Sequence, residues 1–434
     1  MKKYLKILVL FILIVVYLIL AIKHSNTINI DASKFDQHHY IRIVKEIHQK
    51  NFWYLGDRNR TPLYPYIQAI FYTPGMDDKA FFQQGKFINI FISLLMLFLI
   101  FKKISKYLEY FGAIVFILLT AFTLFILKAP YFQTEVLFYS LYFFTFIYIL
   151  KTLKKGQYKD ALFVGVFAAI TYLVKATALL GFSLFIGFLI AYIIHQLIKN
   201  TTYAKKLLIC TLIPFIAFIL ILSPYLIENK KIYNKFFYNV NTNFYVWYDS
   251  WAEVVKGTRA HGDTLGWPDM PKEMIPGPAK YLKEHTFKQI INRQKLGLFF
   301  QMTILTRTYA AIPFSFILLS LLLSIYLILV ERKSSLIFLK DNLVPFLFVI
   351  IYIFIHINIF AWYMLIEYSP RFIFSLFLPF LFVTFMVIEN IAIGEISVSS
   401  LVKLKKSNLI YLIILLSLVI AFPNIVKTIL GGYT

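Results

Sequence analysis

Leu5-Lys6-Ile7-Leu8-Val9-Leu10-Phe11-Ile12-Leu13-Ile14-Val15-Val16-Tyr17-Leu18-Ile19-Leu20-Ala21-Ile22 follows Lys2 and Lys3 near the start of the chain. Two readings compete, a secretory signal or a retained membrane span. The run is longer than a signal's apolar region, and Ile22-Lys23-His24 is no small-residue cleavage site. It reads as a transmembrane helix with a cytoplasmic N-terminus. Runs of similar character recur at 87–101, 111–127, 135–150, 160–175, 177–198, 207–227, 309–330, 342–360, 372–390 and 408–426. Each spanning helix needs about 20 apolar residues. The expectation is an all-α polytopic integral membrane protein with about eleven spans. The apolar stretch 296–305 is too short to cross and is expected at the interface.

Composition agrees. Of 434 residues, 60% are hydrophobic and only 15% charged, too few charges for a water-facing surface of that size. Forty-six Phe and 30 Tyr exclude a disordered chain, and the single Cys210 excludes a disulfide framework or a Cys-based zinc site. A net charge of +23 would suggest nucleic acid in a soluble protein; here it is first divided between two membrane faces, and no nucleic-acid partner is expected.

Lys102, Lys103 and Lys106; Lys151, Lys154, Lys155 and Lys159; Lys199, Lys205 and Lys206; Arg332, Lys333 and Lys340; and Lys403, Lys405 and Lys406 fall in alternate short loops. With the N-terminal lysines they share one side, which the positive-inside rule makes cytoplasmic. Two long polar segments, 23–86 and 228–308, then face outward. The chain divides into a module of seven spans (1–227) containing the first outer loop, an outer cap (228–308) and the C-terminal helices (309–434). The first outer segment carries nine Lys/Arg against six Asp/Glu and the second twelve against seven. Outer loops have no topological need for positive charge, so an anionic ligand or anionic headgroups would explain the excess as well as solvated surface charge does.

In the first outer loop, Tyr40, Ile43, Val44 and Ile47 recur at helical spacing with Arg42, Lys45 and Gln49 opposite. This predicts an amphipathic helix on the membrane surface. Asp36, one turn earlier, has two readings: it caps that helix, or it does chemistry at a cleft. His38 and His39 point about 100° apart on a helix, which argues against their sharing one ion.

Asp36-x-x-x-Tyr40, the arginines Arg58 and Arg60, and Pro62-Leu63-Tyr64-Pro65 resemble the polyprenyl-phosphate-sugar-dependent membrane glycosyltransferases of the GT-C superfamily, in its protein-mannosyltransferase and aminoarabinose-transferase-like branch. Tyr131-Phe132-Gln133-Thr134-Glu135 is similar to that family's Thr/Ser-Glu segment. Tyr172 to Thr177 resembles its lysine between the fifth and sixth spans, and Glu367-Tyr368-Ser369-Pro370-Arg371-Phe372 its late Glu…Arg element. Where a second acid is common after the first, this chain has Gln37. The resemblance implies a GT-C-like fold and a multi-pass protein of the cell membrane with its active site on the extracytoplasmic face. Its implied partners are a polyprenyl-phosphate-linked sugar, membrane lipids, and an acceptor glycan, lipid or protein.

Such chemistry needs a carboxylate to take the acceptor's proton and cations to hold the departing phosphate. Asp36 is the expected base, with Glu135 a second catalytic acid. Arg58, Arg60, Lys175 and Arg371 are the expected phosphate clamps, and Tyr40, Tyr64, Glu367 and Trp267 the expected substrate contacts. Lys175 could instead snorkel to headgroups. Glu135 could pair with Lys128 or Lys175. Glu367 and Arg371 could form a purely local ion pair, although Pro370 argues against a regular helix there. No cofactor is required; a divalent ion is left open, with Asp36, Glu135 and His39 able to hold one. His356 reads as a hydrogen-bonded packing residue.

The second outer segment reads as loop through Gly266 to Pro278, with Tyr281–Gln294 a short amphipathic helix returning to the bilayer. Three rivals remain: a transporter or flippase with a midplane site, an oligosaccharide polymerase or ligase leaning on arginines in 228–308, and a scaffold in which no single carboxylate matters.

Overall fold

A computed structural model describes residues 2–52, 57–199, 203–263, 268–397 and 403–431. Eighteen α-helices carry the fold. They begin with α1 (Lys2–Thr27), α2 (Gln37–Gln49), α3 (Leu63–Ala69), α4 (Asp78–Ile104), α5 (Tyr110–Leu119) and α6 (Glu135–Lys155). Next come α7 (Tyr158–Val174), α8 (Ala178–Ile198), α9 (Tyr203–Tyr233), α10 (Val240–Asn243), α11 (Trp251–Lys256) and α12 (Pro278–Glu284). The last are α13 (Phe287–Arg307), α14 (Ala311–Val330), α15 (Arg332–Asp341), α16 (Leu343–Tyr363), α17 (Phe377–Ile391) and α18 (Lys406–Gly431). A three-residue antiparallel hairpin, β1 (Glu395–Ser397) with β2 (Lys403–Lys405), is the only sheet among the described residues.

Ten helices among the described residues are long and apolar enough to cross a membrane. They coincide with ten of the expected runs. The remaining run, 160–175, is α7, 17 residues long and so roughly 25 Å. The protein is an all-α polytopic membrane protein. α6 is buried on almost every side, whereas α18 exposes Val419 and Ile420, at 61% and 79%. A helix apolar all round belongs in the middle; outward apolar side chains on α18 suit lipid.

Local chemistry explains several boundaries. Asp77 caps α4 by accepting from the amides of Lys79 and Ala80. Gly156 ends α6 in a left-handed conformation at φ 59°. Pro214 and Pro224 lie inside α9, and the backbone of Pro214 abuts Gly165 of α7. A β-carbon there would sit 2.3 Å from the Pro214 carbonyl oxygen. Only glycine permits that approach.

One expectation is corrected. The predicted helix Tyr281–Gln294 is broken, because Thr286 and Gln289 form a capping box that starts a new helix. The stretch 296–305 forms the latter half of the 21-residue α13, which is not among the helices apolar enough to cross. Gly297 brings α13 against α16: an added β-carbon would lie 2.0 Å from the Ala361 carbonyl oxygen.

Gly165→Ala should therefore destabilise the protein by about 1–3 kcal/mol through overpacking. Gly187→Ala, where nothing lies within 4 Å, should be neutral or slightly stabilising. Thermal unfolding in detergent compares the two, and equal midpoints would contradict the close α7–α9 packing.

Candidate active site

The site begins where α1 ends. Residues 28–36 fold back beneath the turn at 128–134, and buried amides hold the two together. Asn29 Nδ2 donates to Gln37 Oε1 (2.9 Å) and to the Pro130 carbonyl (2.8 Å). Gln37 Nε2 donates to Asn29 Oδ1 (2.9 Å) and the Lys34 carbonyl (3.1 Å), while Gln37 Oε1 accepts from the Phe132 amide (2.8 Å). Gln133 Nε2 donates to the Phe35 carbonyl. Lys86, itself buried, donates to the carbonyls of Ser25 (2.6 Å) and Asn29 (2.7 Å).

This web surrounds two successive non-glycine residues in the left-handed region, Phe35 (φ 56°) and Asp36 (φ 67°). Each such residue costs on the order of 1–3 kcal/mol and persists only where its surroundings fix it. A glutamate at position 37 would lack the amide hydrogens that Asn29 and Lys34 accept. That is a physical reason for Gln37 where a second acid was expected.

The strained turn aims Asp36 away from α2. Asp36 precedes that helix, yet its side chain makes no capping bond. Instead Oδ1 accepts from Arg60 Nη2 at 3.0 Å and Oδ2 from Arg371 Nη1 at 3.1 Å. Burial alone would raise the Asp36 pKa, but the Arg60 and Arg371 charges outweigh it and hold it down at about 2.

Arg60 is oriented by a turn in which Asp57 Oδ1 accepts from the Asn59 and Arg60 amides (2.9 and 2.6 Å), and its guanidinium lies 5.7 Å from the Tyr40 ring. Arg371 also donates to Glu367 (3.0 Å), and its carbonyl accepts from Tyr139 Oη (2.7 Å). The local Glu367–Arg371 pair and the reach to Asp36 thus coexist.

A second ion pair lies nearby. Lys175, in the short connection after α7, donates to Glu135 Oε1 at 3.1 Å. Glu135 is 3% exposed, and its Oε2 is buried without a hydrogen-bond partner. Lys128, the other partner considered for Glu135, donates to Tyr309 Oη (2.8 Å). Asp36, Arg60, Glu135, Lys175 and Arg371 all line one cavity of about 410 Å³. Val174, Leu179, Leu180, Phe360 and Phe372 make its apolar wall, and Asn239, Asn241 and Thr242 of the second outer segment also border it.

Other expected residues take different places. Arg58 does not line the cavity: it pairs with buried Asp263 and donates to Tyr245 Oη (3.2 Å). It is a strut between the two outer segments, beside the bond from Asn239 Nδ2 to the Asn59 carbonyl (2.8 Å). Tyr40 lines the cavity, and Tyr64 stands behind it edge-on at 5.2 Å. Glu367 touches the cavity only through Arg371. Trp267 lies outside the described residues.

The His39 ring lies against that of His38, with centroids 3.8 Å apart and planes tilted by 38°. Burial, then the neighbouring Arg60 and His38, lower its pKa to about 4, so it is neutral at pH 7. Among the described residues no three His, Cys, Asp or Glu side chains gather as a metal site. Asp36 and Glu135 are each engaged by cations instead. His356 Nδ1 donates to the Tyr352 carbonyl (2.7 Å) and its Nε2 accepts from Tyr142 Oη (2.5 Å), as a packing residue would.

The amides Asn29, Gln133, Asn239 and Asn241 were not anticipated. Only Gln133, inside the quoted Tyr131–Glu135 segment, carried a signal.

Residues 59–227 match the family model described as dolichyl-phosphate-mannose-protein mannosyltransferase. No curated protein and no solved structure matches. The matched segment contains Arg60, Glu135 and Lys175, while Asp36 and Arg371 lie outside it. Over that segment the chain is similar to the dolichyl-phosphate-mannose-protein mannosyltransferases, and it carries ten helices long and apolar enough to cross a membrane.

Because its pKa is lowered, ionised Asp36 stabilises the fold above its ordinary value of 3.8, and that contribution disappears as pH falls towards about 2. The difference in thermal midpoint between wild type and Asp36→Asn should stay constant from about pH 8 to 5 and close below about pH 4. A difference that closes above pH 5 would show that the two guanidiniums do not hold the carboxylate.

Proposed function

We propose that this protein transfers a sugar from a polyprenyl-phosphate-linked donor to an acceptor hydroxyl on the extracytoplasmic face of the cell membrane, with Asp36 as general base. One observation carries the reading: a carboxylate gripped by two guanidiniums lines a cavity that apolar side chains also line. Cations and apolar surface side by side suit a phosphate on a lipid tail.

While Arg60 and Arg371 hold Asp36, it is a poor base. A donor phosphate competes for the same guanidiniums, since Arg presents a planar fork to phosphate and carboxylate alike. When it takes them, the field that lowered the Asp36 pKa is neutralised and the carboxylate regains basicity. The acceptor oxygen then attacks the anomeric carbon as its proton passes to Asp36. The bond from that carbon to the phosphate oxygen breaks, and the electron pair leaves with the polyprenyl phosphate. Arg60, Arg371 and Lys175 stabilise the departing charge, which counts for most where water is excluded. Glu135 holds Lys175 in place with one oxygen. Leu179, Leu180 and Phe360 offer contact to the first isoprene units. Asn239, Asn241 and Thr242 supply donors and acceptors for the sugar or the acceptor. No step passes through a metal ion.

The rivals fit less well. The charged cluster gathers where helices end, not at the middle of broken spans as a transporter's would. Arg293 of the second outer segment is fixed by Asp249 (2.6 Å) and the Val246 carbonyl (3.1 Å), and Arg259 lies 5.2 Å from the Trp251 ring. Those arginines brace the segment, whereas a polymerase or ligase would need them for substrate.

Asp36→Asn should lower turnover of a polyprenyl-phosphate sugar by about 10²–10⁴-fold. Arg371→Lys, which keeps the charge but not the fork, should also lose turnover. Assays of purified protein across a panel of such donors, with release of the lipid phosphate as readout, test both. Wild-type turnover in Asp36→Asn would remove the base assignment.

A further inference from the structure

A second cavity, of about 350 Å³, lies at the other end of the same helices. Glu135 borders the first cavity and Lys154 the second, so along α6 the two are roughly 30 Å apart. Lys106, Lys151, Lys154 and Lys155 line the second cavity, and no acidic residue does. Lys151 is neutralised by Asp160 at 2.5 Å. Among the described residues no carboxylate pairs with Lys106, Lys154 or Lys155.

The N-terminus of α16 borders the same space through Asn342 and Pro345, and Asn342 makes no side-chain cap there. The first amides of a 21-residue helix therefore add positive potential. The interior is apolar: Ile147, Val349 and Phe382 are buried in its wall, with Val383 and Met386 beside them. A topological preference for lysine explains basic loops. It does not explain three lysines without a carboxylate partner, all exposed, around an apolar hole.

We propose that this cavity binds an anionic glycerophospholipid of the leaflet opposite the Asp36 face. The phosphodiester sits among Lys106, Lys154, Lys155 and the α16 N-terminus, with an acyl chain against Phe382 and Val383. Charge complementarity selects the headgroup, and the apolar wall selects a lipid over a free anion.

The test is thermal unfolding of the purified protein in nonionic detergent, with phosphatidylglycerol, phosphatidylcholine or glycerol 1-phosphate added. Phosphatidylglycerol at a hundredfold excess over its dissociation constant should raise the wild-type midpoint by about 5 °C. K106Q/K154Q/K155Q should lose most of that rise. K205Q/K333Q/K340Q, which removes equal charge from lysines that do not line the cavity, should keep it. Val383→Trp, which fills the cavity and leaves every lysine in place, should also lose it, so the site stays testable if the triple variant misfolds. An equal rise in both triple variants, or an equal rise with phosphatidylcholine, overturns the site. A rise of the same size with glycerol 1-phosphate overturns the lipid assignment.

Discussion

The contact on which the site depends is the one carboxylate, Asp36, held by two guanidiniums from opposite ends of the chain. Arg60 belongs to the first outer loop and Arg371 to the connection before α17, 335 residues from Asp36. An ion pair of this burial is not chiefly a source of stability, because desolvation offsets much of the Coulomb gain. In the mechanism we propose its consequence is chemical: it parks a base in its ionised and unreactive form, and it parks two phosphate-binding groups on a partner that phosphate can displace. Charges lining the cavity nearly balance until a ligand enters.

The rest of the fold holds that arrangement under strain. Phe35 and Asp36 have backbone angles that neither would adopt in a free chain, and the amides of Asn29, Gln37 and Gln133 lock them against the turn before α6. α6 carries Glu135 at its first position and runs through the most enclosed part of the bundle, so this wall of the cavity rests on a rigid element. Close contacts at Gly165 and Gly297 set the helices that bring Lys175 and Phe360 to the same space. Arg58 and Asp263, with the Asn239–Asn59 bond, lash the second outer segment over the first.

The helical architecture was legible because lipid leaves a plain trace in sequence: backbone groups must be satisfied within a helix, and side chains must be apolar for its whole length. The surface helix after α1 was equally plain, since Ile43, Val44 and Ile47 repeat at its period and are buried in it. Glu135, Lys175 and Arg371 were legible as charges near the ends of spans, where an unpaired group is costly, and Asp36 and Arg60 through the resemblance of the first loop to the glycosyltransferase motif. Arg58 was not, because its partner Asp263 lies in a segment whose path no local pattern reveals. Gln37 stood out only as a missing acid; its partners, Asn29 and the Phe132 amide, meet it through folding alone. The start of α13 was misread because apolar periodicity continues through a capping box that ends one helix and begins the next.

The most direct test of this account is the affinity of wild type and Asp36→Asn for a polyprenyl phosphate without sugar, measured side by side at neutral pH. If the carboxylate and the phosphate compete for Arg60 and Arg371, the variant binds more tightly than wild type while failing to transfer. Weaker or unchanged binding in Asp36→Asn would mean that the two anions do not share those guanidiniums, and the substrate-released base would have to be abandoned.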